Sequence, residues 1–546
     1  MAKTRLARTL FLAVLSALLV VATLAGCAQP TATPTAKPTE SADPLAEHMT
    51  LSIALWGISS YLPAGTIDKV RDQLYEDLNI DISPVNTTWD DYTTKIQIWA
   101  ASKQLPDVFA IDAVNTEYLA QWIADGIVKQ LPSDYSAYPD LKKIMDDPSN
   151  AVYKYPLGAD GKWYSIPRPN YMDGGWSTND YAVVLRKDWI ANLGKAVPTT
   201  FAEFQDLMVA FATGDPDKNG TNGDTIGLTV YDASWLGTLM NSFEPGLTGG
   251  DSNVWVRDTT GANKWIPAFM TQGAKDGFAA IKALYDAGGL DKDFATIKGT
   301  EGEDKFMNGQ AGALAHGGNP GGLYGMRVKF DQLYSGKNWD DMFTIMYPFK
   351  NYKDGKYYRY VANSAWSESY LNADVSDAKM DRVLRLFDYL FSDKGNKLFR
   401  YGIEGVNYTV DGSGKITLIP IKDGAGNVIP ISKVYPITPM SSLTQWSGTG
   451  SYIGPFVYPD IQAQSKAVLD WWMANSESMA TDLRMGFIDY ASKAKATALF
   501  KDDLVKLVLS ADSNAAYDTL IAEYKAAGYD DVIKDANAKA AELGIQ

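Results

Sequence analysis

Between Met49 and Ile111 the apolar residues change period four times, and that alternation restricts the possible folds more than any other stretch. Leu51, Ile53 and Leu55 alternate as in a strand that stops at Trp56-Gly57. Ile67, Val70, Leu74 and Leu78 follow at helical spacing, and Ile80, Ile82 and Val85 alternate again. Tyr92, Ile96 and Trp99 mark a second helix, and after Pro106 the run Asp107 to Ile111 reads as a third strand. Strand, helix, strand, helix, strand within about 60 residues implies a parallel sheet with right-handed crossovers. Ligands of such open sheets sit beyond the carboxyl ends of the strands. Those ends carry Trp56, the turn Thr87-Thr88-Trp89, and Asp112.

A second α/β module begins near Ala182, where Val183-Val184-Leu185 reads as a short buried strand leading into a helix at Arg186-Lys187-Asp188-Trp189. Thr200 with Glu203 three residues on is a capping box, and Phe204, Leu207, Met208 and Phe211 supply the buried face of the helix that follows. Phe278, Ile281, Leu284 and Tyr285 predict another helix closed by Gly288-Gly289. A small-residue strand over Ala311 to Ala315 leads to a glycine-rich turn from Gly317 to Gly325. Met380, Val383, Leu384, Phe387, Leu390 and Phe391 mark a long amphipathic helix, and the pattern from about Ala463 onward is mostly helical. No internal repeat is visible.

Ahead of the fold, Lys3, Arg5 and Arg8 precede an apolar run from about Thr9 to Ala22 that ends in Leu24-Ala25-Gly26-Cys27. That is the layout of a secretory signal, and the run is shorter than a bilayer span needs. Small residues before the chain's single cysteine resemble the lipobox of bacterial lipoproteins, in which the thiol is diacylated and becomes the new N-terminus. Residues 1–26 are then a signal peptide, and the segment 27–48, with prolines at 30, 34, 38 and 44, is an extended tether. The expectation is an extracytoplasmic protein held to a membrane through the lipid on Cys27 alone. Losing three basic residues takes the net charge from −15 to −18, a poor match for nucleic acid or an anionic membrane surface.

Counts close off several chemistries. One cysteine allows no intrachain disulfide and no zinc–thiolate cluster, and the two histidines are His48 and His316. No G-x-S-x-G or G-x-x-x-x-G-K-[ST] motif is present. Carboxylate-only catalysis stays open. In Asp215-Pro-Asp-Lys-Asn-Gly-Thr-Asn-Gly-Asp224, oxygens at positions 1, 3 and 5 with glycine at 6 reproduce the first half of a calcium-binding EF-hand loop. Asp215, Asp217 and Asn219 would donate side-chain oxygens and Thr221 its carbonyl. Position 12 is Ile226 where a bidentate Glu is usual, so Asp224 would have to close the shell of a structural Ca2+. An ion-free Asx/Gly turn is the alternative.

Ala182-Val-Val-Leu-Arg-Lys-Asp-Trp-Ile, Val197-Pro-Thr-Thr-Phe-Ala-Glu-Phe, Phe306-Met-Asn-Gly-Gln-Ala-Gly and Tyr401-Gly-Ile-Glu-Gly-Val-Asn-Tyr, in that order and spacing, resemble the extracellular solute-binding proteins of family 1. The chain is most similar to its large, oligosaccharide-binding, LplA-like branch. These are lipoproteins that feed carbohydrate ABC importers, and the likeness runs over nearly the whole mature chain. It implies a periplasmic-binding-protein-like fold: two α/β lobes joined by a hinge that the chain crosses three times, closing on a sugar. Carried over, the first lobe comprises residues 49–168 and 358–410, and the second 169–357 and 411–546. The family often carries a calcium loop where this chain has Asp215 to Asp224. The implied partners are an oligosaccharide and the permease subunits of the importer.

Sugars present apolar C–H faces rimmed by hydroxyls, so flat aromatic platforms flanked by polar groups bind them. Most of the 15 tryptophans and 31 tyrosines must nonetheless be core. Position at strand ends or in turns selects Trp56, Trp89, Trp176, Trp235, Trp366 (after a strand expected to end near Ala362) and Trp446. Each is weighed against core or lobe packing. Asp112 is read as an acceptor for sugar hydroxyls or as the cap of the next helix; Trp99 and Trp189 are read as core. A binding subunit that does no chemistry is the first expectation. A surface glycoside hydrolase or lyase with paired carboxylates is the alternative, and a lipid-anchored scaffold or adhesin the third reading.

Overall fold

The computed structural model describes residues 43–63, 65–114, 116–154, 161–171, 173–258, 263–363, 365–445 and 448–545. Cys27, the signal peptide, most of the tether and Trp446 lie outside the described residues. Strands β1 (Met49–Trp56), β2 (Ile80–Thr87) and β3 (Val108–Ile111) form in the expected order. They pair in parallel, with Met49 opposite Ile80 and Ile53 opposite Val108. Leu51, Ile53 and Leu55 are fully buried, as their alternation requires. Asp68 caps the helix Lys69–Leu78 by accepting from Val70 N and Arg71 N, both at 3.0 Å.

The second sheet and its flanking helix follow the sequence closely. Its strands are β5 (Ala182–Arg186), β6 (Ile226–Val230), β7 (Ala311–His316) and β8 (Phe343–Ile345), with β4 (Ser165–Pro169) preceding them in the first sheet. Their order is β8-β5-β7-β6, with β6 parallel to β7 and β5 antiparallel to it. The Thr200–Glu203 capping box forms, and Phe211 of the helix Phe201–Thr213 packs so tightly on Gly312 that a Cβ there would lie 2.2 Å from its ring. Small residues in β7 are thus the condition for that helix to seat.

Strand β9 (Ala365–Leu371) completes the first sheet, whose order is β2-β1-β3-β9-β4. It runs antiparallel to both neighbours, so the sheet is mixed where the alternation pattern implied only parallel pairing. Trp366 is accordingly inside a strand and does not follow one. The register slips between Ala365 and Glu368, and Ser367 takes a left-handed φ of 58°. That bulge puts Ser367, Glu368 and Ser369 inside the protein, which removes the apolar alternation a strand ordinarily shows.

Glu47–Gln546 forms one compact unit. Within it the chain passes from the first sheet to the second after Pro169, and back before Ala365. Tyr435, Ile437, Met440 and Leu443 still pack in the first core, and Ile437 N donates to Asp68 Oδ2 at 2.8 Å. Tyr458 and Ile461 then join the core against the second sheet. We therefore propose that the third passage lies near 443–458, later than the expected boundary at 410–411. The first two passages touch backbone to backbone: Ala362 N donates to Gly174 O at 3.3 Å. A Cβ on Gly174 would fall 2.0 Å from Ala362 O. Gly174→Ala is expected to lower the thermal unfolding midpoint, with a loss on the order of 2 kcal/mol from overpacking. An unchanged midpoint in calorimetry would contradict that close approach.

Candidate functional site

Three of the expected tryptophans meet at one end of the first sheet. Trp56 ends β1, Trp89 lies just past β2, and Trp366 enters at the start of antiparallel β9, which is the same edge. Ring centroids are 4.4 Å apart for Trp56–Trp89, 5.8 Å for Trp56–Trp366 and 6.0 Å for the stacked pair Trp89–Trp366. Tyr92 meets Trp56 edge-on at 5.5 Å. Trp56, expected at the ligand surface, is fully buried, because Trp89 and Trp366 cover it. Trp89 is 46% exposed and Trp366 half-buried, so these two present the open face.

Beneath the rings lies Arg168, which the sequence reading did not single out. It comes from β4 and is wholly buried. Its guanidinium carbon is 4.7 Å from the Trp56 ring and 5.6 Å from that of Trp366. Nε donates to Ser442 O at 2.6 Å, Nη1 donates to Ser367 Oγ, and Nη2 has no partner among the described residues. Burial pulls its pKa down to about 9, against the opposing pull of Glu368, Tyr92, Asp112 and Tyr61. Glu368, also wholly buried, accepts at Oε2 from Ala113 N, Val114 N and Tyr370 OH, while Oε1 has no partner among the described residues. Burial, and then the charge of Asp112, push its carboxyl well above the usual range, so it holds its proton.

Asp112 sits half-buried at the end of β3. The next helix, Glu117–Ala124, is capped at Thr116, so the helix-cap reading of Asp112 does not apply. Its carboxyl is raised by burial and by the charge of Asp251, and lowered by Arg168. Asp251 belongs to the other half of the protein, between Leu247 and Trp255 of the second core. Its side chain is open to water although protein encloses it, the condition of a group inside a cleft, and that enclosure raises its pKa.

A second aromatic wall stands at the corresponding end of the second sheet. Trp235 follows β6 and stacks on His316, the last residue of β7, at 5.6 Å and 13°. Tyr231 and Tyr181 lie 6.0 and 5.5 Å from Trp235, and Tyr360 meets Tyr181 edge-on at 5.4 Å. His316 is buried 3.9 Å from Glu303, and that burial lowers its pKa. Strand-end position was the signal that would have found Tyr231 and His316; no pattern marked Tyr181, Tyr360 or Asp251. Charges reach from one half to the other: Asp90, beside Trp89, raises the pKa of Tyr231, and Asp251 raises that of Asp112.

Trp176 lies apart from both walls, half-buried in the passage Gly174–Asp180 and edge-on to Tyr452 at 5.6 Å. Nearby, Asp180 accepts from Tyr171 OH at 2.5 Å and Asn319 Nδ2 at 2.6 Å, and burial lifts its pKa to about 7. Trp189 is core, as expected, and Trp99 packs partly buried on the first core. A cavity of about 390 Å³ lined by Phe399, Tyr401, Ile419, Ile421 and Phe456 shares no residue with either wall.

In the acidic loop, Asn219 Nδ2 donates to Asp217 at 3.0 Å and to Asp224 at 2.8 Å. Asn219 N and Gly220 N donate to Asp215, each at 3.0 Å, and Thr221 N donates to Asn219 Oδ1 at 2.8 Å. The carboxylates of Asp215, Asp217 and Asp224 are thus all engaged by donors of Asn219 and Gly220. Among the described residues no group of three or more His, Cys, Asp or Glu is arranged to hold a metal ion. In the loop, the Asn219 amide occupies the space between the carboxylates. No helix among the described residues is long and apolar enough to cross a membrane.

No protein-family model matches the chain. It is 27% identical over 344 residues, 62% of this chain and 63% of that protein, to the polygalacturonan/rhamnogalacturonan-binding protein YtcQ of Bacillus subtilis. It is 28% identical over 245 residues, 43% of this chain and 44% of that one, to lipoprotein LipO of the same organism. To the fructooligosaccharide ABC transporter substrate-binding protein FusA of Streptococcus pneumoniae it is 30% identical over 184 residues, 32% of this chain and 33% of FusA. The chain thus spans less than two thirds of each relative's length. The structure of FusA in complex with kestose superposes with a TM-score of 0.69 at 16% identity, covering 91% of this chain and 99% of that one. A FusA EF-hand mutant in complex with fructo-nystose gives 0.68 at 17% identity, over 91% and 99% of the two chains. These likenesses establish the solute-binding-protein fold.

Because Glu368 keeps its proton in the folded protein at pH values where the unfolded chain has lost it, folding costs more as pH rises above the ordinary carboxylate range. Stability from this group is fullest near pH 4 and falls toward pH 8. Glu368→Gln, which keeps an acceptor for Ala113, Val114 and Tyr370, is expected to flatten that decline by about 1 kcal/mol or more between pH 5 and 8. Thermal melts of both proteins across this range measure it; parallel pH slopes would refute it.

Proposed function

We propose that this chain, related in sequence to ABC-transporter substrate-binding proteins and built on their fold, is the lipid-anchored binding subunit of an importer and takes an oligosaccharide between its two aromatic walls without altering it. The carrying observation is the pair of walls at the strand ends, Trp89 and Trp366 on one side and Trp235 with Tyr231 on the other. Aromatic faces cover the apolar side of a pyranose or furanose ring, and flanking carboxylates accept from its hydroxyls. Trp56 and Arg168 form the rigid floor under Trp89 and Trp366. Trp176, at the passage between the sheets, is assigned to the hinge. Ligand that touches both walls binds the closed form more tightly than the open one and so shifts the equilibrium to closure. The closed form is what a permease would engage, and Cys27 with the tether 27–48 would keep it near the membrane.

YtcQ is named for binding polygalacturonan and rhamnogalacturonan, which are acidic glycans, and FusA for fructooligosaccharide, which is neutral. A glycoside hydrolase needs a proton donor that reaches the glycosidic oxygen. Glu368 is buried beneath the tryptophans with Oε2 committed to three donors, which speaks against that role. For the acidic loop we propose a structural calcium ion held by Asp215, Asp217, Asn219, Thr221 and Asp224, bracing the turn between helix and strand. Support comes from the spacing, the gathered carboxylates and the EF-hand named in FusA.

Glycan-array screening followed by calorimetry is expected to find stoichiometric oligosaccharide binding with no product formed. Trp89→Ala should weaken that binding about tenfold or more, with a melting temperature lowered by only a few degrees through the lost contact with Trp56. Full affinity in both Trp89→Ala and Trp366→Ala, or turnover of the glycan, would end this reading. For the ion, chelator should lower the melting temperature of the natural protein and leave that of Asp215→Asn/Asp217→Asn unmoved. No shift between saturating calcium and chelator would count against the site.

A further inference from the structure

We infer that the cleft selects a neutral oligosaccharide and discriminates against uronic-acid chains, because carboxylates border both aromatic walls while the guanidinium of the first wall is sealed beneath it. The inference rests on the reading that the cleft takes a saccharide, and it names the class.

Asp90 adjoins Trp89 in the turn that carries it, and Asp112 ends β3 in the same wall. Asp232 accepts from Ser234 N at 2.7 Å and so starts the short helix that carries Trp235. Glu303 lies 3.9 Å from His316, and Asp251, from the other half of the protein, is near enough to Asp112 for its charge to act on it. Among the described residues the Asp112 side chain has neither a hydrogen bond nor an ion pair, and it stays accessible. An enclosed carboxyl of that kind lacks a donor, and a sugar hydroxyl supplies one.

Three basic side chains beside these walls, Arg168, Lys329 and Lys501, are already engaged. Arg168 is wholly buried, with Nε on Ser442 O and its ring-facing plane between Trp56 and Trp366. Lys329 is held by Glu303 at 2.9 Å and Asp304 at 2.7 Å, and Lys501 lies 3.7 Å from Asp232. A uronate placed here gains no bidentate cation and meets like charge in an enclosed site where screening by water is reduced. A neutral chain meets acceptors that its hydroxyls satisfy.

The test is calorimetric titration of the natural protein with neutral xylo-, cello-, manno-, galacto- and fructo-oligosaccharides of three to six units, and with oligogalacturonates of the same lengths. Expected is a neutral series that binds at least about tenfold more tightly than any oligogalacturonate. In Asp112→Asn/Asp251→Asn that gap is expected to narrow to about threefold or less, through gained uronate affinity. Raised salt should narrow it in the natural protein. Oligogalacturonate binding as tightly as the best neutral series overturns the inference and leaves the saccharide reading standing. Binding by neither class defeats the saccharide reading and the inference with it. The two-class comparison on the natural protein decides the matter even where the double variant fails to fold.

Discussion

The proposed binding face rests on a buried cation. Taking the Arg168 guanidinium out of water is expensive, and the surroundings offset that cost with two indole faces, the carbonyl of Ser442, the hydroxyl of Ser367 and the charge of Asp112. Each compensation comes from a different part of the chain. Arg168 belongs to β4, Ser367 to the bulge of β9, Ser442 to the late segment that returns to the first core, and Trp56 to β1. The guanidinium is therefore where distant segments are pinned at fixed distances under Trp89 and Trp366. The left-handed Ser367 is part of the arrangement, since the register slip turns its hydroxyl inward.

This explains what the sequence revealed and what it withheld. Strands β1 to β3 were legible because each alternates and is bounded by helices at 3.6 spacing; the capping box at Thr200 was legible because both partners are local. β4 was hidden: Ser165-Ile-Pro-Arg-Pro carries two prolines and a charge. The topology makes sense of them, because β4 is an edge strand, as is β2 with its Pro84, and proline cannot donate to a central ladder. β9 was hidden for another reason, since its buried residues Ser367, Glu368 and Ser369 are polar and, apart from Tyr370, their side-chain partners Ala113, Val114, Arg168 and Leu443 lie far away in sequence. The site divides likewise. Strand-end reasoning pointed to Trp56, Trp89 and Asp112 at one end of the first sheet and to Trp235 after a strand of the second module, whereas Trp366 was reached through a strand end near Ala362 that the structure does not have. Arg168, Glu368 and Asp251 matter only through long-range packing, which no local pattern encodes.

The passages between the sheets show how rigid lobes and a cleft coexist in one chain. At Gly174 and Ala362 two passages run in backbone contact, which leaves no room for side chains between them. Asn179 Nδ2 donates to Gly318 O at 2.9 Å, and Asn241 Nδ2 to Tyr358 O at 2.8 Å, so the first two passages are also tied to the second half by side-chain amides. Any relative motion of the walls is thereby confined to a few backbone torsions in these strips, while the cores on either side stay close-packed.

Acidity at the cleft is a different matter from the acidity of the whole chain. A net charge of −15 could by itself place carboxylates anywhere. On the helices, however, acids are matched by lysines one turn away, as in Lys142–Asp146, Lys282–Asp286, Lys397–Asp393 and Lys466–Asp470. Such pairs are solvated and contribute little beyond local solubility. Asp112 and Asp251 are arranged otherwise: neither has an ion-pair partner among the described residues, surrounding protein raises the pKa of both, and the charge of Asp251 raises that of Asp112 further. Holding unmatched carboxyls together works against stability. In the proposed reading that cost is relieved by what enters between the two aromatic walls: a hydroxyl-rich, uncharged ring would donate hydrogen bonds to both carboxyls.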